Sequence, residues 1–229
     1  MCVALAAALP CVAPLPAAAQ PVLAGAQDGV PCPDAPIAVR GSDAEDRADL
    51  CSGAAAAVAF LADHGLDAPG RITVEIVSRM PAGYAPDAAG CFDTARKLVL
   101  LLDHAAFARF GRWMGRPIDR VMHRAIAAHE VAHAVSATHF LVRRPRVVAR
   151  EYIAYVAMYA TMDPALRAHA LAVFPEVSWA DDAPPDEAEY AADPMRFGAR
   201  AWRHWLEPGH GARFLRAVVE GRVLDGDEP

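Results

Sequence analysis

The sequence predicts an α+β protein in which a small N-terminal mixed sheet with one helix precedes a helical half. Strand-like alternation of apolar residues is concentrated before residue 117, whereas the segments after residue 118 follow the helical period. The chain has 229 residues, of which 55% are apolar and 22% are charged, so it can bury a core of ordinary size. Strands first and helices second is the order typical of segregated α+β domains.

Local signals support each element of the first half. Asp43 is a helix N-cap and Gly65 a stop signal, and Ile72, Val74 and Ile76 alternate with more polar residues. The predicted elements are a short strand at Ile37–Arg40, a helix over 44–63, a strand at Arg71–Val77, a hairpin or edge strand at Cys91–Leu102, and a short helix with a loop over 104–117.

The second half is predicted to be helical apart from one acidic, proline-rich surface loop. Asp163-Pro164 has the N-cap and first-turn proline pattern of a helix start. The predicted elements are helices over Asp119–Ala137 and Val147–Met162, a helix from Asp163, the loop over 175–193, and helices over Pro194–Leu206 and Ala212–Gly221.

The N-terminal residues 1–19 carry no charge and end in an A-x-A cleavage pattern, which predicts a signal peptide and a secreted or periplasmic protein. Prolines keep the apolar run below the roughly 18 residues that a membrane anchor needs, so no stable membrane insertion is expected. An extended lead-in over 20–42 and one domain over 43–229, with halves 43–117 and 118–229, would follow. The formal charge of −6 argues against nucleic acid as a partner.

Cys32, Cys51 and Cys91 remain once the leader is removed, and an exported chain can hold a disulfide. The pairs Cys51–Cys91 and Cys32–Cys51 are both open on the sequence.

His129-Glu130-Val131-Ala132-His133 lies within the strongest helical segment. Residues four apart share a helix face, so both imidazoles can reach one metal ion. The two histidines continue the apolar stripe of this helix, which directs them toward the buried side. Glu130 lies one step around the helix, where a carboxylate can act as general base to a zinc-activated water.

A catalytic zinc needs a third protein ligand, and Glu151 on the next helix is the candidate. Its apolar neighbours predict partial burial, and a buried carboxylate needs a cation. The alternatives are an ion pair between Glu151 and Arg150, Arg146 or Arg124. Asp163 is a further candidate ligand, although its capping position disfavours it. His123 and His139 point elsewhere on the helix, toward the surface or behind the ligands.

These residues and their two helices resemble the gluzincin-type zinc metallopeptidases, the thermolysin-like clan with HExxH plus a downstream glutamate. The chain is also similar to a small group of secreted bacterial proteins with a metallopeptidase-like core. The resemblance implies one zinc ion held by His129, His133 and Glu151, a peptide or protein substrate, and an edge strand near Gly90–Phe92 that pairs with extended substrate. Tyr155 stands where the thermolysin pattern has an aspartate that steadies a zinc-bound histidine, so its hydroxyl is expected to accept the imidazole N–H.

The implied reaction is hydrolysis, with Glu130 taking a proton from water and passing it to the leaving amine. A second electrophile should stabilise the oxyanion, and the candidates are Tyr155, Tyr190, Arg196, His204 and His210. Segment 193–198 is expected to shape the far wall of the cleft.

A zinc-binding or interaction protein without turnover is the alternative function, and a two-histidine, one-carboxylate Fe(II) oxygenase uses the same ligand types. Glu130 favours the hydrolase, since a structural site needs no base and closes its fourth position.

The basic patch of Arg143, Arg144, Arg146 and Arg150 could meet an acidic substrate or a lipid headgroup. Solvation or pairing with the acidic 176–193 segment is the more ordinary role of such arginines.

Overall fold

Five strands form a mixed sheet at the N-terminal end of the computed structural model, which describes residues 29–41, 43–176, 178–179 and 185–225. The strands are β1 (Val30–Pro31), β2 (Ile37–Arg40), β3 (Ile72–Val77), β4 (Gly90–Asp93) and β5 (Leu98–Leu102). Their order across the sheet is β1-β2-β3-β5-β4, so β4 is an edge strand. The central pairs β2·β3 and β3·β5 are parallel, and both outer pairs are antiparallel.

Helices make up most of the remaining described chain. They are α1 (Ala44–Asp63), α2 (His104–Ala108), α3 (Arg120–Ser136), α4 (Val147–Thr161), α5 (Pro164–Val173), α6 (Glu187–Ala192), α7 (Pro194–Trp205) and α8 (Ala212–Val219). Aspartate N-caps begin many of them, and the side chains of Asp43, Asp119 and Asp163 accept hydrogen bonds from backbone N–H groups of the first turn. The α+β class with a small N-terminal mixed sheet is confirmed.

Helix α3 is fixed against α1 by close packing and by a charge network. A Cβ atom on Gly53 would overlap the Arg124 carbonyl oxygen, so the two helix backbones approach closely there. The buried Asp49 carboxylate accepts hydrogen bonds from Arg120 at 2.8 Å and from Arg124 at 2.9 Å. These contacts hold α3 in a defined orientation beside the sheet.

Helix α4 is the most deeply buried helix of the second half, and it packs on α3, α7 and α8. The Tyr152 hydroxyl lies 2.8 Å from Nδ1 of His204 on α7. Gly198 of α7 lies against the Tyr155 ring, where an added Cβ would come within 2.7 Å of Cε1. A glycine is therefore needed at that crossing for the aromatic ring to pack.

Several sequence expectations need correction. In the described part of the predicted lead-in over 20–42, β1 and β2 belong to the sheet, so these strands are part of the domain. The loop predicted within 104–117 contains a two-stranded hairpin of β6 (Arg112–Trp113) and β7 (Arg116–Pro117). The predicted surface loop over 175–193 includes helix α6, because its apolar residues Trp179 and Tyr190 are buried against α7.

One disulfide joins Cys32, between β1 and β2, to Cys51 on α1, which decides between the two pairings that the sequence left open. The predicted signal peptide over 1–19 lies outside the described residues. Within the described part of the chain, no helix has both the length and the apolar character needed to cross a membrane.

Candidate metal centre

His129 and His133 of α3 and Glu151 of α4 converge on one small volume. Nε2 of His129 lies 3.1 Å from Nε2 of His133. The Glu151 carboxylate oxygens lie 3.4 Å from Nε2 of His129 and 3.5 Å from Nε2 of His133. Helical spacing places the two rings one turn apart, and the packing of α4 on α3 brings the carboxylate to them.

These separations fit a tetrahedral metal ion. Two ligand atoms at about 2.0–2.2 Å from a zinc ion in tetrahedral geometry lie roughly 3.3–3.6 Å apart. The two separations that involve Glu151 fall in this range, and the two Nε2 atoms, at 3.1 Å, are slightly closer than it. The rings of His129 and His133 are nearly perpendicular, at 86°, so their Nε2 lone pairs can meet at one point. Oε2 of Glu151 is buried and has no hydrogen-bond partner among the described residues. A buried carboxylate oxygen without a donor costs free energy, and a bound cation would offset that cost.

Glu151 does not form the arginine ion pairs that were the alternative to metal binding. Arg124 pairs with Asp49, and Arg146 lies 3.8 Å from Glu187. The charge of Arg150 is among the smaller causes that lower the pKa of Glu151, but the ion-pair contacts of Glu151 within the described residues are those with His129 and His133. The carboxylate therefore faces the two imidazoles, as the metal-ligand hypothesis requires.

The pKa values of the ligands reflect their burial and mutual contact. Burial lowers the pKa of His133 to about 4, so this imidazole is neutral at pH 7 and can bind a metal. For His129 and Glu151, burial favours the neutral form, but their mutual contact outweighs it. The hydrogen bond and charge of Glu151 raise the pKa of His129, and the charges of His133 and His129 lower the pKa of Glu151.

Glu130 lies beside the ligands and under the edge strand β4. It is buried, and burial followed by the repulsion of Glu151 raises its pKa to about 7, against the opposing charge of His129. A Cβ atom on Gly90 would lie 2.8 Å from both Cδ and Oε1 of Glu130. The carboxyl group is therefore enclosed between α3 and β4, next to the ligand atoms.

Two tyrosines approach the centre, and they do so differently. The Tyr155 ring packs edge-on against the His129 ring at 4.6 Å, but Nδ1 of His129 has no hydrogen-bond partner among the described residues. The expected hydrogen bond from His129 to the Tyr155 hydroxyl is therefore absent, because the phenol contacts the imidazole through its ring. Tyr190 of α6 is buried near the Glu151 carboxylate, and after burial the charge of Glu151 helps to raise the pKa of the Tyr190 phenol, a proximity that no local spacing signals.

A cleft runs past the centre beneath β4 and widens into a pocket on each side of Glu130. The first, which we call the Arg150 pocket, is lined by Gly90, Phe92, Glu130, His133, Phe140 and Arg150 among others. The second, the Asp87 pocket, is lined by Asp87, Gly90, Trp113, His129, Glu130 and Met195 among others. The predicted edge strand near Gly90–Phe92 thus lines the cleft, and so do Pro194 and Met195 of segment 193–198. No sequence pattern indicated that Trp113 lines a pocket, whereas Arg150 belonged to the basic patch for which an acidic substrate was one of the expectations.

The other candidate residues lie away from the ligands. Arg196 pairs with Glu176 at 3.2 Å, and Asp163 caps α5. His139 is half-buried and its Nε2 contacts the Asp67 carbonyl oxygen. His123, expected at the surface or behind the ligands, is a core residue whose Nε2 contacts the Leu102 carbonyl oxygen at 2.9 Å.

His204, Glu207 and His210 form a second cluster of potential ligands, whose donor atoms lie within 4.8 Å of one another. The His204 and His210 rings are stacked, with centroids 4.0 Å apart and planes inclined by 19°. Imidazole lone pairs lie in the ring plane, so two nearly parallel rings do not aim at a common point. In this arrangement the cluster does not offer the convergent geometry of the first group.

Comparison with known proteins gives one match. The model of a family described as a family of unknown function, DUF6639, matches residues 37–227. No curated protein and no solved structure matches the chain.

Proposed function

We propose that this chain, which belongs to the DUF6639 family, is a zinc-dependent hydrolase of the metallopeptidase type. The observation that carries the proposal is the convergence of two Nε2 atoms and one carboxylate at separations of 3.1, 3.4 and 3.5 Å. Three protein ligands with a cleft beside them match a catalytic site, whereas structural zinc sites have four protein ligands.

The arrangement of elements supports a gluzincin-like fold. The HExxH helix α3 lies against the edge strand β4, and the downstream glutamate comes from the next helix, α4. An extended peptide could add to the free edge of β4 and pass over Glu130. The disulfide between Cys32 and Cys51 supports an oxidising compartment, in keeping with export.

A zinc ion bound by His129, His133 and Glu151 would supply Lewis acidity, which acidifies a water and polarises a substrate carbonyl. Glu130 has the position of the general base. Its carboxylate lies between the ligands and the cleft, so it can take a proton from that water and pass it to the leaving amine. The walls of the cleft, β4 and α3, hold the Glu130 side chain in place.

Tyr190 is one candidate for the electrophile that stabilises the oxyanion, because it is buried near the Glu151 carboxylate. The Tyr155 hydroxyl is the second candidate, since the Tyr155 ring contacts His129 and lines the Asp87 pocket. Both phenols have pKa values raised well above the ordinary value, mainly by burial, so they remain protonated and can donate hydrogen bonds.

The proposal is tested by incubating the zinc-loaded protein with a mixed peptide library and identifying the products by mass spectrometry. Glu130→Gln is the matched control, because it keeps the shape of the side chain and removes the base. Cleavage by the native protein and its loss in the variant support the hydrolase. If both proteins hold zinc and neither cleaves, the chain is a non-catalytic zinc-binding or interaction protein, and metal analysis separates both from an iron site.

A further inference from the structure

The two pockets of the cleft differ in charge. Asp87 lines one of them, and no arginine or lysine lies among the described residues around it. Arg150 lines the other and contributes its only arginine or lysine within the described part of the chain. The cleft is therefore electrostatically polarised along the direction in which an extended substrate would lie.

Arg150 is half-buried, and its buried Nε atom has no hydrogen-bond partner among the described residues. Glu151 and Asp225 exert electrostatic effects on it, but no described residue forms an ion pair with it. A buried guanidinium N–H without an acceptor costs free energy, so a bound carboxylate would be stabilised there.

The charge balance of the centre leaves Arg150 available for a ligand. A divalent ion would be balanced by the carboxylates of Glu151 and Glu130, which are the acidic residues that line this pocket in the described chain. The positive charge of Arg150 is then uncompensated. Guanidinium groups bind carboxylates in a two-pronged manner, which gives geometric selectivity as well as attraction.

We propose that Arg150 is a specificity residue that binds a carboxylate group of the substrate, so that the hydrolase selects acidic peptides. This inference rests on the proposed function. A peptide that pairs antiparallel with β4 would place residues that precede the cleaved bond in the Arg150 pocket, because β4 runs from the Asp87 pocket toward it. The carboxylate would then be an aspartate or glutamate side chain. In parallel pairing it would be the C-terminal carboxylate.

The test measures binding, so that it does not depend on turnover. The probes are alanine pentapeptides with an N-terminal acetyl group and a C-terminal amide that carry one glutamate or one glutamine at each position in turn. The unsubstituted peptide with a free C-terminal carboxylate completes the set. Dissociation constants are measured by isothermal titration calorimetry on zinc-loaded Glu130→Gln protein, in which cleavage is blocked.

We expect glutamate at one position to bind about 10- to 100-fold more tightly than glutamine, the range of charge-assisted hydrogen bonds. A preference for the free C-terminal carboxylate without a preference for glutamate at any position would overturn the selection of acidic peptides. In the Glu130→Gln protein, a further Arg150→Gln or Arg150→Met substitution should abolish the preference for glutamate over glutamine. Arg150→Lys should reduce this preference, because an ammonium group cannot donate two parallel hydrogen bonds to a carboxylate as a guanidinium does.

Arg146→Gln is the control, because Arg146 also lies at the start of α4 but pairs with Glu187 outside the pocket. It should leave the preference unchanged. The inference is overturned if the Glu130→Gln protein does not distinguish acidic from neutral peptides, or if its preference survives loss of the guanidinium. Absence of cleavage by the native protein in the library experiment would refute the hydrolase but not a carboxylate preference seen by calorimetry.

Discussion

Gly90 of the edge strand and Glu130 of the HExxH helix are in direct contact. A methyl group at residue 90 would lie 2.8 Å from Cδ and Oε1 of Glu130 and closer still to its Cγ. The residue is glycine because the carboxyl group occupies the space of a side chain. This contact couples the strand that would receive substrate to the residue that would move the proton.

Gly90→Ala should therefore displace Glu130 and lower the free energy of unfolding by about 1–3 kcal/mol, the usual cost of overpacking. Zinc content should stay unchanged, because the three ligands do not contact residue 90. Thermal or urea unfolding and metal analysis check the two parts of this expectation.

A double-mutant cycle isolates the contact. In a Glu130→Ala background the side-chain atoms that meet the new methyl group are absent, so Gly90→Ala should cost much less there. An equal cost in both backgrounds would show that residue 90 acts through some other contact.

Tyr190→Phe should weaken zinc binding about 10-fold, because it removes a buried hydroxyl that lies near the ligand Glu151 and could support it. Tyr159→Phe is the matched control. The Tyr159 hydroxyl is buried on α4, the helix that carries Glu151, and has no hydrogen-bond partner among the described residues. Competition with a chelator of known affinity measures both. Equal zinc affinity in the native protein and Tyr190→Phe would contradict a supporting role for this phenol.

Replacing Cys32 and Cys51 together with alanine should destabilise the protein by about 3 kcal/mol on the loop-entropy model, since the bridge closes a loop with a sequence separation of 19. The site lies on α3 and α4, away from this disulfide, so the zinc content of the folded variant should not change. Urea unfolding of the variant and the native protein measures the difference, and equal midpoints would contradict the expected stabilisation.

His123 should make stability depend on pH. Burial lowers its folded-state pKa below 6.5, so the unfolded chain binds the proton more readily. The stability that neutral His123 contributes is present above pH 6.5 and is lost as pH falls toward the folded-state pKa.

His123→Gln keeps an N–H donor for the Leu102 carbonyl oxygen and removes the titration. The variant should therefore lose less free energy of unfolding than the native protein between pH 7.5 and about 5. The measurement is urea unfolding at a series of pH values. If the free energy of unfolding changes equally with pH in the two proteins, His123 does not contribute to the pH dependence of stability over this range.

The sequence predicted best what local physics decides. Helix α1 has the bounds predicted from the Asp43 cap and the Gly65 stop, because both signals act within one turn of the helix end. The geometric relation of His129 to His133 followed from the helical repeat alone. Glu151 could be nominated because apolar neighbours placed it on a buried helix, where a carboxylate needs a cation.

The rest depends on contacts between distant parts of the chain. The proximity of Tyr190 to Glu151 requires α6 to pack beside α4, and an acidic, proline-rich composition concealed that helix. The choice of Cys51 as the partner of Cys32 depends on how α1 lies against β1 and β2. Tyr155 was expected to use its hydroxyl, but the direction of its ring is fixed by Gly198 on α7, 43 positions away on the sequence numbering.

The central claim is that His129, His133 and Glu151 hold one zinc ion. Anomalous diffraction at the zinc absorption edge, from crystals of the native protein grown with zinc, tests it most directly. We expect one strong peak at about 2.0–2.2 Å from Nε2 of both histidines and from a carboxylate oxygen of Glu151, with the fourth position open to the cleft. A peak at His204 and His210 alone, or zinc-supplied crystals with no peak at the three residues, would contradict the account.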